Sequence, residues 1–195
     1  MTDYSAAGKF ILQKLESELP GNLSYHAMNH TLDVLEAAER IAANEGITGK
    51  EELKLLRVAV LFHDAGFIYV YKGHEEKSCE MARKFLPSFG FDEAQLGIIY
   101  GLINATRLPQ DPHTPLERII ADADLDYLGR DDFYPIANTL YDEFRIYLGV
   151  KDEKEWNRIQ LNFLRSHHYH TDYCLRLREP QKQKRLQEME ARVNG

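Results

Sequence analysis

The sequence predicts an all-α fold, a helical bundle of about eight to ten helices. Three observations predict it. Apolar residues recur at helical spacing along most of the chain, and no stretch alternates convincingly as a strand. Capping signatures open separate segments at Asp92 to Gln95, Thr114 to Glu117 and Asp152 to Glu155. Proline or glycine closes others, at Pro20-Gly21, Gly46, Gly66, Pro87 and Gly129. With 195 residues, 44% of them hydrophobic and 28% charged, the chain is expected to form one domain with a sizeable core.

Tyr4 to Leu19 carries Phe10, Ile11, Leu15 and Leu19 on one helical face, and Pro20-Gly21 ends it. A second helix is expected from Met28 to Glu45, closed by Gly46. Thr48-Gly49-Lys50-Glu51 reads as a capping box that opens a central helix. Its apolar stretch, LKLLRVAVLFHDAGF, runs from Leu53 to Phe67. Val58 to Phe62 leave no polar face, so this helix is expected to be buried on most sides, with His63-Asp64 at its end and Gly66 as its stop. FIYVYKG is the one strand-like run; without an obvious partner it reads as a loop. His74 to Leu86 is the next helix, ended by Pro87. The capping box at Asp92 opens another, to about Ala105, and RLPQDPHTP is a proline-rich loop. Thr114-Pro115-Leu116-Glu117 combines a cap, proline at the first helical position and glutamate at the third. The helix it opens is expected to reach Leu128 and stop at Gly129. Asp131 to Leu148 and Asp152 to His167 follow, then Tyr173 to Arg192, bent or interrupted at Pro180. The KQKRLQEMEAR end interleaves acids with bases and reads as a solvated tail.

Composition excludes several classes of function. A net charge of -7 and a pI near 5.6 argue against a nucleic-acid polymer or an anionic membrane as partner. No apolar run approaches the roughly 18 residues of a membrane span. The N-terminus lacks the basic and apolar regions of a signal peptide, and Cys79 and Cys174 form no CxxC pair. A reducing, cytoplasmic setting is the expectation; the sequence is silent on oligomeric state.

The His63-Asp64 pair is the first candidate for chemistry. A buried carboxylate without compensation loses several kcal/mol of solvation (about that order) or takes up a proton. Either neighbours hydrogen-bond the pair at a solvated helix end, or a cation sits there. His30 has Val34, Ala37 and Ile41 at plus four, seven and eleven, which puts it on a buried stripe one turn after His26. Asp124 has Ile120, Ala121, Tyr127 and Leu128 as helical neighbours. Asp122 instead neighbours Arg118 and Asp126, and Asp126 neighbours Arg130, so these two are expected on the surface and Asp124 alone in the core. A hydroxyl such as that of Tyr25 or Tyr127 could satisfy Asp124. Jointly, two imidazoles and two carboxylates from three helices suit Mn, Fe, Co, Ni or Zn better than Mg. Such a divalent metal ion acidifies bound water and polarises a phosphoryl oxygen.

This order of residues resembles the HD superfamily of metal-dependent phosphohydrolases. The resemblance is carried by His30 in YHAMNHTLDV, His63 and Asp64 in LFHDAGF, and Asp124 in IIADADLDYLG. HEEKS at 74 to 78, NAT at 104 to 106 and FLRSHHYHT at 163 to 171 resemble one bacterial branch of predicted HD hydrolases. A bare His-Asp dipeptide is uninformative; four positions in order on apolar helix faces are specific. The motif-bearing core then covers about residues 25 to 130 of a single domain, 1 to 195, with a helical extension at 131 to 195. The resemblance implies an all-helical HD/phosphodiesterase-like bundle and metal ligands at His30, His63, Asp64 and Asp124. It implies hydrolysis of a phosphoester or phosphoanhydride in a small phosphorylated compound, usually a nucleotide, by attack of metal-bound water. A non-catalytic HD domain that binds metal or nucleotide for regulation is the other reading.

Departures narrow what carries over. Phe67 stands where branches that cleave deoxynucleoside monophosphates place a glutamate. No GYP follows the pair, which disfavours cyclic-dinucleotide hydrolysis. His74 is the candidate for a second metal, with Asp64 bridging. Glu75 could position water or act as a base. Arg107 and Lys72, with Lys77 and Arg130, are candidate phosphate clamps. His26 and His167 are candidates to line the substrate pocket, His167 from the group His167-His168-His170.

Overall fold

The computed structural model describes residues 2–194. Among them are ten α-helices, three short 3₁₀ turns and no strand. The helices are α1 (Tyr4–Glu18), α2 (Met28–Asn44), α3 (Lys50–Phe62), α4 (His74–Phe85), α5 (Glu93–Ala105), α6 (Pro115–Asp124), α7 (Phe133–Tyr147), α8 (Glu153–Ser166), α9 (Asp172–Leu177) and α10 (Glu179–Asn194). None of these is long and apolar enough to cross a membrane.

α3 is the hub. Leu55, Leu56 and the run Val58 to Phe62 are all buried, so apolar side chains leave the helix in every direction near its C-terminal end. α1, α2, α4, α5 and α6 pack around it. α2 also lies along α6, while α10 packs on α8 and α9 and on the turn Asp126–Gly129, forming a second layer. Two helix starts follow their capping boxes: the Asp92 carboxylate accepts from the Gln95 N–H and the Thr114 hydroxyl from that of Glu117.

Three expectations are corrected and one is met. Thr48 does not cap α3; Gly49 is its N-cap, without a side-chain bond. Glu51, which would complete that box, instead accepts from Gln95 Nε2 at 2.6 Å and from the Tyr4 hydroxyl. The central helix does not run to Phe67. It ends at Phe62, and Ala65–Ile68 forms a 3₁₀ turn. At Gly66 a Cβ would lie 2.0 Å from the His74 carbonyl oxygen, so only glycine lets the start of α4 cross here. α6 likewise stops at Asp124, and Asp126–Gly129 is a separate turn. The expected interruption at Pro180 is present: the C-terminal segment is two helices, divided at Arg178, with Pro180 in the first turn of α10.

The acidic cluster is also corrected, for Asp122 and Asp126 are both fully buried. Asp122 accepts from the backbone N–H groups of His170 (2.9 Å) and Thr171 (2.8 Å) and from the Thr171 hydroxyl (2.6 Å). Asp126 pairs with Arg40 and Arg178, each at 2.7 Å, and lies 3.6 Å from Arg130. Helical periodicity within α6 could not show these partners, because they come from other elements. Removing Asp126 would leave Arg178 without its carboxylate partner and Arg40 with only the distant Glu36, at 4.0 Å. Asp126→Ala is expected to lower unfolding free energy by about 3 kcal/mol, the low end for a broken buried pair because both arginines keep some water contact. Urea denaturation checks this, and a loss below about 1 kcal/mol would contradict it.

Candidate metal centre

The centre forms where α2, α3 and α6 meet. α3 delivers His63 at its C-cap, where the Nδ1–H donates to the Val60 carbonyl at 2.7 Å. That bond fixes the tautomer and leaves Nε2 as the ring's lone-pair atom. Asp64 follows in the turn, His30 comes from the first turn of α2, and Asp124 is the last residue of α6.

Each carboxylate oxygen lies beside both imidazoles. His30 Nε2 is 3.1 Å from Asp124 Oδ1 and 3.4 Å from Asp64 Oδ2. His63 Nε2 is 3.2 Å from Asp64 Oδ2 and 3.4 Å from Asp124 Oδ1. Donors bound to one ion at roughly 2.0–2.2 Å stand about 3.0–3.5 Å apart, so this spacing fits a shared cation. The donor atoms of His30, His63 and Asp124 all lie within 4.8 Å of one another. His63 Nε2 and Asp64 Oδ2 are buried and have no hydrogen-bond partner among protein atoms. Two orphaned acceptors facing each other call for positive charge between them. The donor set, two neutral-capable imidazoles and two carboxylates, suits a divalent transition ion.

The electrostatics lead the same way. Burial works against charge on His30, but Asp124 and Asp64 outweigh it and hold the imidazole up at about 9. His63 is pushed well above its ordinary value by the same carboxylates, again against burial. Burial raises Asp124, yet the two histidines hold it down to about 2, and Asp64 lies well below the carboxylate range for the same reason. The cluster holds two negative charges stable only because positive charge is within contact. A divalent ion would supply that charge in place of two ring protons.

Around the four residues lies a second ring. Phe67 is stacked between His26 (4.1 Å between centroids) and His74 (4.0 Å). His74 Nε2 is 3.5 Å from Asp64 Oδ1 and 3.7 Å from Glu75 Oε1. His26 Nδ1 hydrogen-bonds Glu143 of α7, a fully buried carboxylate. Glu143 also accepts from the backbone N–H of Tyr25 (2.9 Å) and His26 (3.0 Å) and from the Tyr71 hydroxyl (3.0 Å). Sequence reasoning missed Glu143, which belongs to no motif. Its helical neighbours Thr139, Leu140, Ile146 and Tyr147 are uncharged, the same signal that singled out Asp124.

Asp64 and Asp124 open onto a cavity of about 350 Å³, also lined by His26, Lys72, His74 and Glu75. Arg107 is exposed and does not line it, although Thr106 and Leu108 on either side do. Arg130 is committed to Asp33 (2.8 Å) and Asp132 (2.6 Å), and Lys77 to Glu80 (2.6 Å). His167 is absent from the lining: it is buried against α10, where Lys182 Nζ donates to its carbonyl at 2.7 Å.

An HD domain model matches residues 27–126, just over half of the chain, and its span contains all four clustered residues. The chain belongs to the HD domain family. That family is one of metal-dependent phosphohydrolases, and the strandless helical bundle agrees with it. No curated protein and no solved structure matches the chain. The HD span thus holds the four clustered residues, while Glu143 and much of the cavity wall come from beyond it.

His167 generates a prediction. Burial first, then Lys182, His168 and His170, hold its imidazole down at about 3, with Asp124 opposing weakly. A folded value below the unfolded value of about 6.5 means that the unfolded chain binds the proton first as pH falls. The stability His167 contributes is therefore fully present above about pH 6.5 and is lost as pH drops toward 3. His167→Asn is expected to flatten the melting temperature against pH between about 6.5 and 4, whereas the parent declines. Parallel profiles would contradict it.

Proposed function

We propose that this HD domain is a metal-dependent phosphohydrolase that cleaves a phosphoester or phosphoanhydride bond of a small phosphorylated compound. One observation carries the reading. The two orphaned acceptors, His63 Nε2 and Asp64 Oδ2, complete a ring with His30 and Asp124 at the wall of a ligand-sized cavity. His30, His63, Asp64 and Asp124 would hold one divalent ion. When bound, such an ion supplies a Lewis-acid centre for a phosphoryl oxygen and lowers the pKa of water.

The chain's own groups do the rest. Val60 fixes the His63 tautomer, so that Nε2 faces the cluster. Lys72, on the cavity wall, is suited to steer an anionic phosphoryl group. Glu75, buried beside His74, is suited to take a proton from water or to hold it in line. Glu143 orients His26 through Nδ1 and leaves Nε2 as that ring's uncommitted nitrogen. His74 Nε2 lies against the outer oxygen of Asp64, Oδ1, where a second ion would be shared.

Elemental analysis of protein purified without added metal, with phosphate release measured under Mn, Co and Mg, tests the reading. Near-stoichiometric transition metal is expected. Asp64→Ala is expected to lose it, together with about a hundredfold or more of phosphate release. Metal bound without turnover on any phosphoester would favour the non-catalytic regulatory reading instead.

A further inference from the structure

The cavity beside the cluster is asymmetric. One wall carries Asp64, His74, Glu75 and Lys72. Another part of the lining comes from α7 and α8, with Phe133, Ala137, Leu140, Phe144, Ile159 and Phe163 among its residues. Of the side chains those two helices contribute, all are apolar except Gln160 and the indole N–H of Trp156. A void of about 350 Å³ against such a wall is far larger than the gaps ordinary cores leave, and it lies in the range of ligand sites.

Beyond the metal cluster, Lys72 and His26 Nε2, few polar groups there are free for a ligand. The Tyr71 hydroxyl is given to Glu143 and that of Thr106 to the Ile103 carbonyl. Trp156 Nε1 and Gln160 Oε1, one turn apart on α8, are buried without partners. Neither atom has surface open to the void, so neither offers a ligand a polar contact on the α7 and α8 side. Among the described residues, Lys72 is the only lysine or arginine lining the cavity, against the carboxylates of Asp64, Glu75 and Asp124. A polyphosphate chain would meet too little positive charge. A nucleoside would bring ribose and base polar atoms to a wall that cannot pair them.

We propose that the substrate is a phosphomonoester whose organic part is apolar, an aryl or branched alkyl group seated against α7 and α8. The proposal rests on the hydrolase reading for the phosphoryl end and on the cavity alone for the apolar end. Trp156 is the one tryptophan of the chain, so its emission reports on this wall directly.

The test titrates the Mn-loaded protein with phenylphosphonate, inorganic phosphate and adenosine monophosphate by calorimetry. In parallel, benzyl alcohol is titrated against Trp156 emission with and without metal. Phenylphosphonate is expected to bind about tenfold or more tightly than either phosphate or the nucleotide, from ring burial. Benzyl alcohol is expected to shift Trp156 emission saturably in both states. Ala137→Phe should erase the phenyl advantage over phosphate; if that variant does not fold, Ala137→Leu should reduce the advantage. A nucleotide preferred over phenylphosphonate, an advantage that survives the filled cavity, or a flat benzyl alcohol titration would overturn the proposal. Failure of the hydrolase reading looks different: no phosphate is released from any ester, phenyl phosphate included, while the Trp156 titration stands.

Discussion

Two carboxylates and two imidazoles, His63 and Asp64 buried and His30 and Asp124 partly so, meet at one point, and their charges must be balanced there. Much of the fold serves that constraint. α3 ends at Phe62 so that His63 can turn its Nδ1–H back to Val60 and present Nε2 forward. The carbonyl of His63, left over at the helix end, accepts from the Ser78 hydroxyl at 2.6 Å, and the same hydroxyl accepts from the Gly66 N–H at 2.8 Å. That one side chain joins the end of α3 to α4. The glycine that permits the crossing is two residues after Asp64. Helix end, turn and crossing are therefore one device, which aims the His-Asp pair and brings His74 to the outer oxygen of Asp64.

The pentapeptide Asp122 to Asp126 distributes three carboxylates to three tasks. Residues two apart on a helix diverge by about 200° around its axis, and the break after Asp124 turns the last one further. Asp124 enters the cluster from α6, Asp122 seats the segment that opens α9, and Asp126 gathers Arg40 and Arg178. The last two tie the C-terminal helices to the segment that carries Asp124. Residues 131 to 194 are thus more than an appendage. They supply Glu143, which holds Tyr25 and His26, and the apolar wall of the cavity. The four-residue cluster lies inside the HD match, and the apolar wall from α7 and α8 lies outside it.

How much was legible in the sequence follows from where the information sits. A cap is local, so Asp92 with Gln95 and Thr114 with Glu117 were readable. Thr48 misled because the partner of its box, Glu51, is claimed by Gln95 from α5. His30 and Asp124 were readable because an apolar helical face around a polar side chain is a contradiction that periodicity exposes. Asp122 and Asp126 carried the opposite signal, charged neighbours, and are buried all the same because their partners lie on other elements. The cavity left no trace in the sequence. Apolar residues of α7 and α8 that line a void have the same spacing as residues that fill a core.

Phe67 shows how one departure from a family pattern reshapes a site. A glutamate at this position would add another negative charge beside Asp64. The phenyl ring instead fills the space between His26 and His74, inclined at 25° and 20° to their planes. Both imidazoles are thereby held at the cavity wall by stacking rather than by an ion pair with residue 67. His26 then needs an anchor of its own, and Glu143 provides it while also accepting from Tyr71. Tyr71 in turn stacks on Tyr147, with centroids 4.2 Å apart and planes 5° from parallel. A carboxylate at residue 67 would break the stack and crowd negative charge near Asp64, so the phenyl ring at 67 and the carboxylate at 143 act as a pair. In this chain the carboxylate beside His26 therefore comes from α7, while residue 67 contributes a ring.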